Sequence, residues 1–167
     1  MIVIVFGVAG VGKTTIGKLL ANELGWKFYE GDDFHSAANI EKMRGGEPLT
    51  DEDRQPWLES LREVIQRMIA GHENAVLACS ALKQKYRETL RVSDDVTFVF
   101  LHASRARIAE QLKERRGHYF DPKLLGSQLE DLEEPKPLED AVTIEVRGDP
   151  AEVVEQIKAS LRKRTGG

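Results

Sequence analysis

Residues 7–14, Gly7-Val8-Ala9-Gly10-Val11-Gly12-Lys13-Thr14, satisfy G-x-x-x-x-G-K-[ST] at every fixed position, and the chemistry open to such a stretch is the cradling of phosphates. Its glycines let backbone N–H groups approach without a Cβ in the way, and the helix that follows adds partial positive charge at its start. Lys13 is placed to reach the outer phosphates as a point charge, and the Thr14 hydroxyl to sit on a Mg²⁺ ion. A second set of chemistry-bearing residues is Glu30-Gly31-Asp32-Asp33. If a phosphoryl group is to be transferred, a carboxylate must take the acceptor's proton. Asp32 is the first choice for that base and Asp33 the alternative. Glu30 lies two residues before Asp32, on the same face if the chain stays extended, and is placed to bind Mg²⁺ through water. A solvated acidic turn is the competing reading of these residues.

The elements that must position these groups follow from the hydropathy pattern. Ile2-Val3-Ile4-Val5-Phe6 is a continuous apolar run ending at Gly7, as in a strand buried on both faces. Residues 15–24 place Ile16, Leu19, Leu20 and Leu24 on one helical stripe, with Gly25 as the C-cap. Trp26-Lys27-Phe28-Tyr29 reads as a second strand that runs into the acids. Residues 34–43 read as a short helix closed by Gly45-Gly46, followed by a turn at Glu47-Pro48-Leu49. Thr50, with Asp51, Glu52 and Asp53 behind it, starts a helix to about residue 70 whose apolar face is Trp57, Leu58, Leu61, Val64, Ile65 and Met68.

Gly71 stops that helix, and Ala75-Val76-Leu77-Ala78-Cys79 is a further buried strand ending at Ser80. A basic helix over 82–90, a strand over 96–101 and a helix over 105–115 capped by Ser104 come next. The segment 115–137 has the weakest pattern and carries Gly117, Pro122, Gly126, Pro135 and Pro137, which predicts a mobile lid. A last strand over 142–146 precedes a terminal helix opened by Pro150. This alternation predicts one α/β domain over 1–167 with the P-loop NTPase fold: a parallel sheet of about five strands, with helices on both faces.

The 167 residues are 41% hydrophobic with a net charge of −4, enough for a sizeable core and without the basic stripe a polynucleotide partner requires. The single cysteine, Cys79, excludes an internal disulfide, points to a reducing compartment and reads as an inert buried residue. The N-terminal apolar run is too short for a membrane span, so a soluble cytoplasmic protein is expected. The four histidines lack metal-site spacing, and Trp57 reads as core. There is no N-K-x-D stretch for guanine, and Ser80 stands where many ATPases place a Mg²⁺-binding acid. A small-molecule kinase with a water-excluding lid suits these features better than a GTPase switch or a motor.

Several stretches then carry a family resemblance. Glu30-Gly31-Asp32-Asp33-Phe34-His35, Asn39-Ile40-Glu41-Lys42-Met43, Gly46-Glu47-Pro48-Leu49, DEDRQPWL at 51–58, Cys79-Ser80-Ala81-Leu82-Lys83 with Tyr86-Arg87, and Arg116-Gly117-His118 with Phe120 resemble gluconokinase. Residues 128–135 are similar to that family's lid, and Glu30 departs from it where Asp is usual. The resemblance implies a fold similar to nucleoside monophosphate and shikimate kinases, MgATP as phosphoryl donor, D-gluconate as acceptor and a homodimer. It implies ATP binding by Gly7, Val8, Ala9, Gly10, Val11, Gly12, Lys13, Thr14, Thr15, Arg115 and Pro150, and catalysis by Lys13, Asp32 and Arg116. Arg54, Lys83 and Arg87 become candidate cations for the substrate carboxylate, and Asp32, His35 and His118 candidate partners for the substrate. Each has a bland alternative: Arg54 paired with Asp51, Lys83 and Arg87 on a solvated face, His35 as a structural hydrogen-bonder, and Arg115 and Arg116 as a basic helix end. A kinase for shikimate or a nucleoside monophosphate, and a nucleotide-binding protein without turnover, are the other functions this sequence admits.

Overall fold

In the computed structural model, which describes residues 1–114 and 124–165, five parallel strands form one sheet in the order β2-β3-β1-β4-β5. These are β1 (Ile2–Phe6), β2 (Lys27–Glu30), β3 (Ala75–Cys79), β4 (Val96–His102) and β5 (Val142–Glu145). The unbroken apolar run of β1 has its reason in this order. β1 is flanked by β3 and β4, with Ile4 level with both Leu77 and Phe98, and both its faces are covered. Ile2, Ile4 and Phe6 enter one core with Trp57, Leu61 and Ile65. Val3 and Val5 point the other way, into a core with Leu20, Val154 and Ile157. Alternate residues thus serve opposite layers, each buried side chain contributing about 1.5–3 kcal/mol relative to exposure.

The helices are α1 (Lys13–Leu24), α2 (Ala37–Arg44), α3 (Asp51–Ala70), α4 (Gln84–Leu90), α5 (Arg105–Glu114), α6 (Leu124–Asp131) and α7 (Pro150–Thr165). Three expected caps are present. Gly25 ends α1 at φ 72°, Thr50 and Asp53 form a reciprocal capping box on α3, and Ser104 Oγ accepts from Arg107 N at 3.2 Å.

Four local departures matter. β2 begins at Lys27 and takes Glu30 as its last residue. The expected helix over 34–43 is divided into a 3-10 turn, Gly31–Phe34, and α2, which starts behind Ser36, whose hydroxyl accepts from Asn39 N. The basic helix starts at Gln84, with Glu133 accepting from its first N–H at 2.9 Å. Finally, the segment expected as a lid contains α6, with Leu124 and Leu125 buried.

Connections leave β1 toward β2 and leave β3 toward β4, on opposite sides of the sheet. The carboxyl ends of β1 and β3 therefore flank a crevice, the place where open α/β sheets bind ligands.

Candidate active site

The cleft at that edge is lined by Gly10, Gly12, Lys13, Thr14 and Thr15 after β1, Glu30 at the end of β2, Asp32 and His35 after it, Arg54 on α3, and Ser80 after β3. On the phosphate-loop side, Gly10 holds φ +84°, and a Cβ there would stand 2.8 Å from Leu112 Cγ, so only glycine lets the loop pass α5 this closely. Lys13 Nζ donates to the carbonyls of Gly7 and Val8 at 2.9 and 3.1 Å, arching over the loop. The Thr14 hydroxyl donates to Glu30 Oε2. Burial pushes the Glu30 carboxyl above its ordinary pKa, so a cation beside it would favour the ionised form. Thr14 and Glu30 are a pair of hard oxygen donors, the type a small divalent ion takes together with phosphates and water. Among the described residues no three His, Cys, Asp or Glu side chains gather as an all-protein metal site.

The acid-bearing turn is shaped by contacts distant in sequence. Gly31 packs so close to β3 that a Cβ would lie 2.5 Å from the Ala78 carbonyl, and Trp57 Nε1 donates to the Gly31 carbonyl at 2.8 Å. The chain therefore does not stay extended past Glu30. Glu30 and Asp32 still meet at the cleft, because the turn folds Asp32 N back to Glu30 Oε1 at 3.4 Å. Asp33 is exposed and does not line the cleft, so the structure does not bring the alternative base to the site.

His35 stacks on Trp57, with centroids 4.3 Å apart and planes 12° from parallel. Asn39 Nδ2 lies 3.2 Å from His35 Nδ1 and also donates to the Asp53 carbonyl at 2.8 Å. An amide NH₂ only donates, so Nδ1 accepts and the ring proton rests on Nε2. That Nε2 is 4.0 Å from Asp32 Oδ1. Burial lowers the His35 pKa to about 4, leaving a neutral N–H donor beside the carboxylate. Trp57 is core, as expected, but it is also the platform that fixes His35 and the turn.

Two of the three candidate cations are used elsewhere. Arg87 is 1% exposed and every guanidinium donor has a protein acceptor: Glu139 through Nε at 2.6 Å and Nη2 at 3.1 Å, and the carbonyls of Ala81, Leu82 and Glu133. It straps the chain after α6 to α4 and does not reach the cleft, because its helix face points into the core. Lys83 pairs with Asp51 at 3.0 Å and does not line the cleft. Asp51 also accepts from Lys85 and Tyr86, and these hydrogen bonds hold its carboxyl well below the usual carboxylate range. Arg54, by contrast, is 7% exposed and lines the cleft. Its partners are Tyr86 Oη at 2.9 Å and Asp131 Oδ2 at 3.2 Å, not Asp51.

Residues given no site role from the sequence also line the cleft: Met43, Leu49, Ser80, Gln111, Leu124, Ser127 and Gln128. Met43, Leu49 and Leu124 form its apolar wall, and Gln128 Oε1 accepts from Ala9 N at 2.8 Å. The available signal was the spacing of Leu124, Leu125, Leu129 and Leu132, one helical stripe obscured by the surrounding Gly and Pro. Pro150 opens α7 and does not line the cleft. Val8 and Val11 bury their side chains and do not line the cleft. Cys79 is buried and its thiol is pushed up to about 12, inert as expected. Arg115, Arg116, His118 and Phe120 lie outside the described residues.

Residues 9–162 match the family model described as shikimate kinase. The gluconokinase of Gluconobacter oxydans is 43% identical, covering 92% of this chain and 87% of that protein. The thermosensitive gluconokinase of Escherichia coli is 42% identical, covering 95% and 86%. The crystal structure of a gluconokinase from Sinorhizobium meliloti superposes with a TM-score of 0.86 at 41% identity, covering 98% of this chain and 93% of that one. With a phosphate loop, a carboxylate and a buried arginine facing one cleft, and with these likenesses over nearly its whole length, the chain belongs to the gluconokinase family of shikimate-kinase-like P-loop enzymes.

Proposed function

We propose that this chain transfers the γ-phosphoryl group of ATP to the terminal hydroxyl of D-gluconate, forming 6-phospho-D-gluconate and ADP. The observation that carries this reading is the placement of Arg54 and Asp32 on the walls of the same cleft as the phosphate loop. A sugar acid offers a carboxylate for the first, a primary hydroxyl for the second and intervening hydroxyls for donors such as His35 Nε2 and Ser80.

In this reading the Lys13 ammonium and main-chain amides of residues 7–15 other than that of Ala9, which Gln128 holds, bind the triphosphate, with Lys13 leaving the Gly7 and Val8 carbonyls to do so. Asp32 accepts the hydroxyl proton as the acceptor oxygen bonds to the γ-phosphorus and the bond from that phosphorus to the β–γ bridging oxygen breaks, releasing ADP. Thr14 and Glu30 fit Mg²⁺ by their oxygen chemistry, Glu30 through water. That ion supplies charge neutralisation on the phosphates when bound. Arg54 binds the acid's carboxylate. Arg115 and Arg116 at the phosphates, His118 at the acceptor, Pro150 at the nucleotide, a lid within 115–137 that closes with α6 kept in place, a homodimer and a cytoplasmic location complete the proposal; among the described residues no helix is long and apolar enough to cross a membrane.

An ADP-release assay over D-gluconate, other sugar acids, shikimate and nucleoside monophosphates tests it. Turnover confined to D-gluconate and near analogues supports the reading, and turnover with shikimate or a nucleotide and none with D-gluconate removes it.

A further inference from the structure

We propose that Gln128 of α6 is a catalytic residue whose side-chain amide N–H groups bind the oxygens of the phosphoryl group in transit. Ala9 N is a donor only, so the oxygen of the carboxamide must be the atom that faces it, at 2.8 Å. With Oε1 held by Ala9, Nε2 stands at the other corner of the planar carboxamide, and among the described residues nothing accepts from it. Gln128 lines the same cleft as Lys13, Thr14 and Asp32, and its bond to Ala9 sets it against the phosphate loop.

The helix that carries it is fixed in three ways. Leu125 packs with Val8, Ala9 and Leu112 under the phosphate loop, Asp131 pairs with Arg54 at 3.2 Å, and Glu133 N donates to the Leu82 carbonyl at 2.8 Å. A neutral donor anchored at its other end needs no reorganisation when charge spreads over the equatorial oxygens, the condition under which such donors lower a barrier most. Gln128 neither gains nor loses a proton in this role, and no bond to it forms.

The inference rests on the reading of the chain as a phosphoryl-transfer enzyme, and two variants separate it from a purely structural role. Gln128→Glu keeps an oxygen for Ala9 N–H but has no N–H, and Gln128→Met keeps length with neither group. Calorimetry with ADP alone and with ADP plus aluminium fluoride, which mimics the phosphoryl in transit, needs no acceptor and so reports on Gln128 even if D-gluconate is not the substrate. Both variants are expected to lose about 10²-fold in affinity for the fluoride complex, to change affinity for ADP by much less, and to show a kcat lowered by the same factor with KM for D-gluconate steady. Retention of fluoride affinity and kcat by Gln128→Glu would make the Ala9 bond the whole role and overturn the proposal. Equal losses for ADP and for the fluoride complex would do so too, by reducing the effect to damage in the loop.

Discussion

The phosphate loop is one run of consecutive residues whose working groups are main-chain amides, whereas the facing side of the cleft is assembled from Asp32 and His35, Arg54, Ser80 and α6, drawn from four separate stretches. The first is held by local geometry, by positive φ at Gly10 and Gly12 and by the start of α1. The second is held by ties of long sequence separation: Trp57 to Gly31, Arg54 to Tyr86 and Asp131, Gln128 to Ala9. The same contrast separates two arginines. Both are buried, yet Arg87 spends its five donors on the protein, while Arg54 has two protein partners and a face on the cleft. A buried arginine is thus a site residue only when the protein leaves donors over.

The largest expected effect tests that distinction. Arg87→Met should lower stability by about 3–5 kcal/mol, because Glu139, only 9% exposed at its side chain, would lose its partner. Chemical denaturation measures this, and KM for D-gluconate should be unchanged in the folded enzyme; a raised KM would return Arg87 to the site. Next, Asp32→Asn should lower kcat by about 10³-fold while ADP affinity holds, since the base proposed at Asp32 acts on the acceptor side alone. A matching loss of ADP affinity would show that the two halves are not separable.

His35 gives a pH dependence with a definite sign. Its pKa falls from 6.5 to about 4 on folding, so the folded state binds fewer protons between those values. Its contribution, about 3 kcal/mol, is full above pH 6.5 and is lost as pH falls toward 4. Denaturation midpoints across that window should drop in the parent and drop less in His35→Asn; identical slopes would place the titration elsewhere. The smallest effect is for Arg54→Ala, expected to raise KM for D-gluconate by about 30-fold through loss of a charge-assisted contact. A steady KM would mean that the carboxylate is bound by another group.

Much of this was legible along the chain. The strand–loop–helix around residues 7–14, the alternation that makes a parallel sheet, and the caps at Gly25, Thr50 and Ser104 are near-neighbour effects and appear where expected. In the sequence, Gly126 and the flanking prolines weigh against helix and predict a mobile lid over 115–137, whereas in the fold the packing of Leu124 and Leu125 outweighs them and α6 forms. Lys83 and Arg87 looked equivalent to Arg54 as charges on helices. Nothing local distinguishes a guanidinium that faces a cleft from one that faces Glu139, fifty-two positions away.

The sequence by itself determined that a phosphate-loop pattern stands at the end of the first strand, because its glycines, Lys13 and Thr14 are contiguous and need only their own backbone conformations. Only the tertiary structure decided what faces that loop. Asp32 rather than Asp33, Arg54 rather than Arg87, and Gln128 at all are selected by which side chains the sheet order and the packing of α3 and α6 turn toward one crevice, a choice made by contacts between residues far apart in the chain.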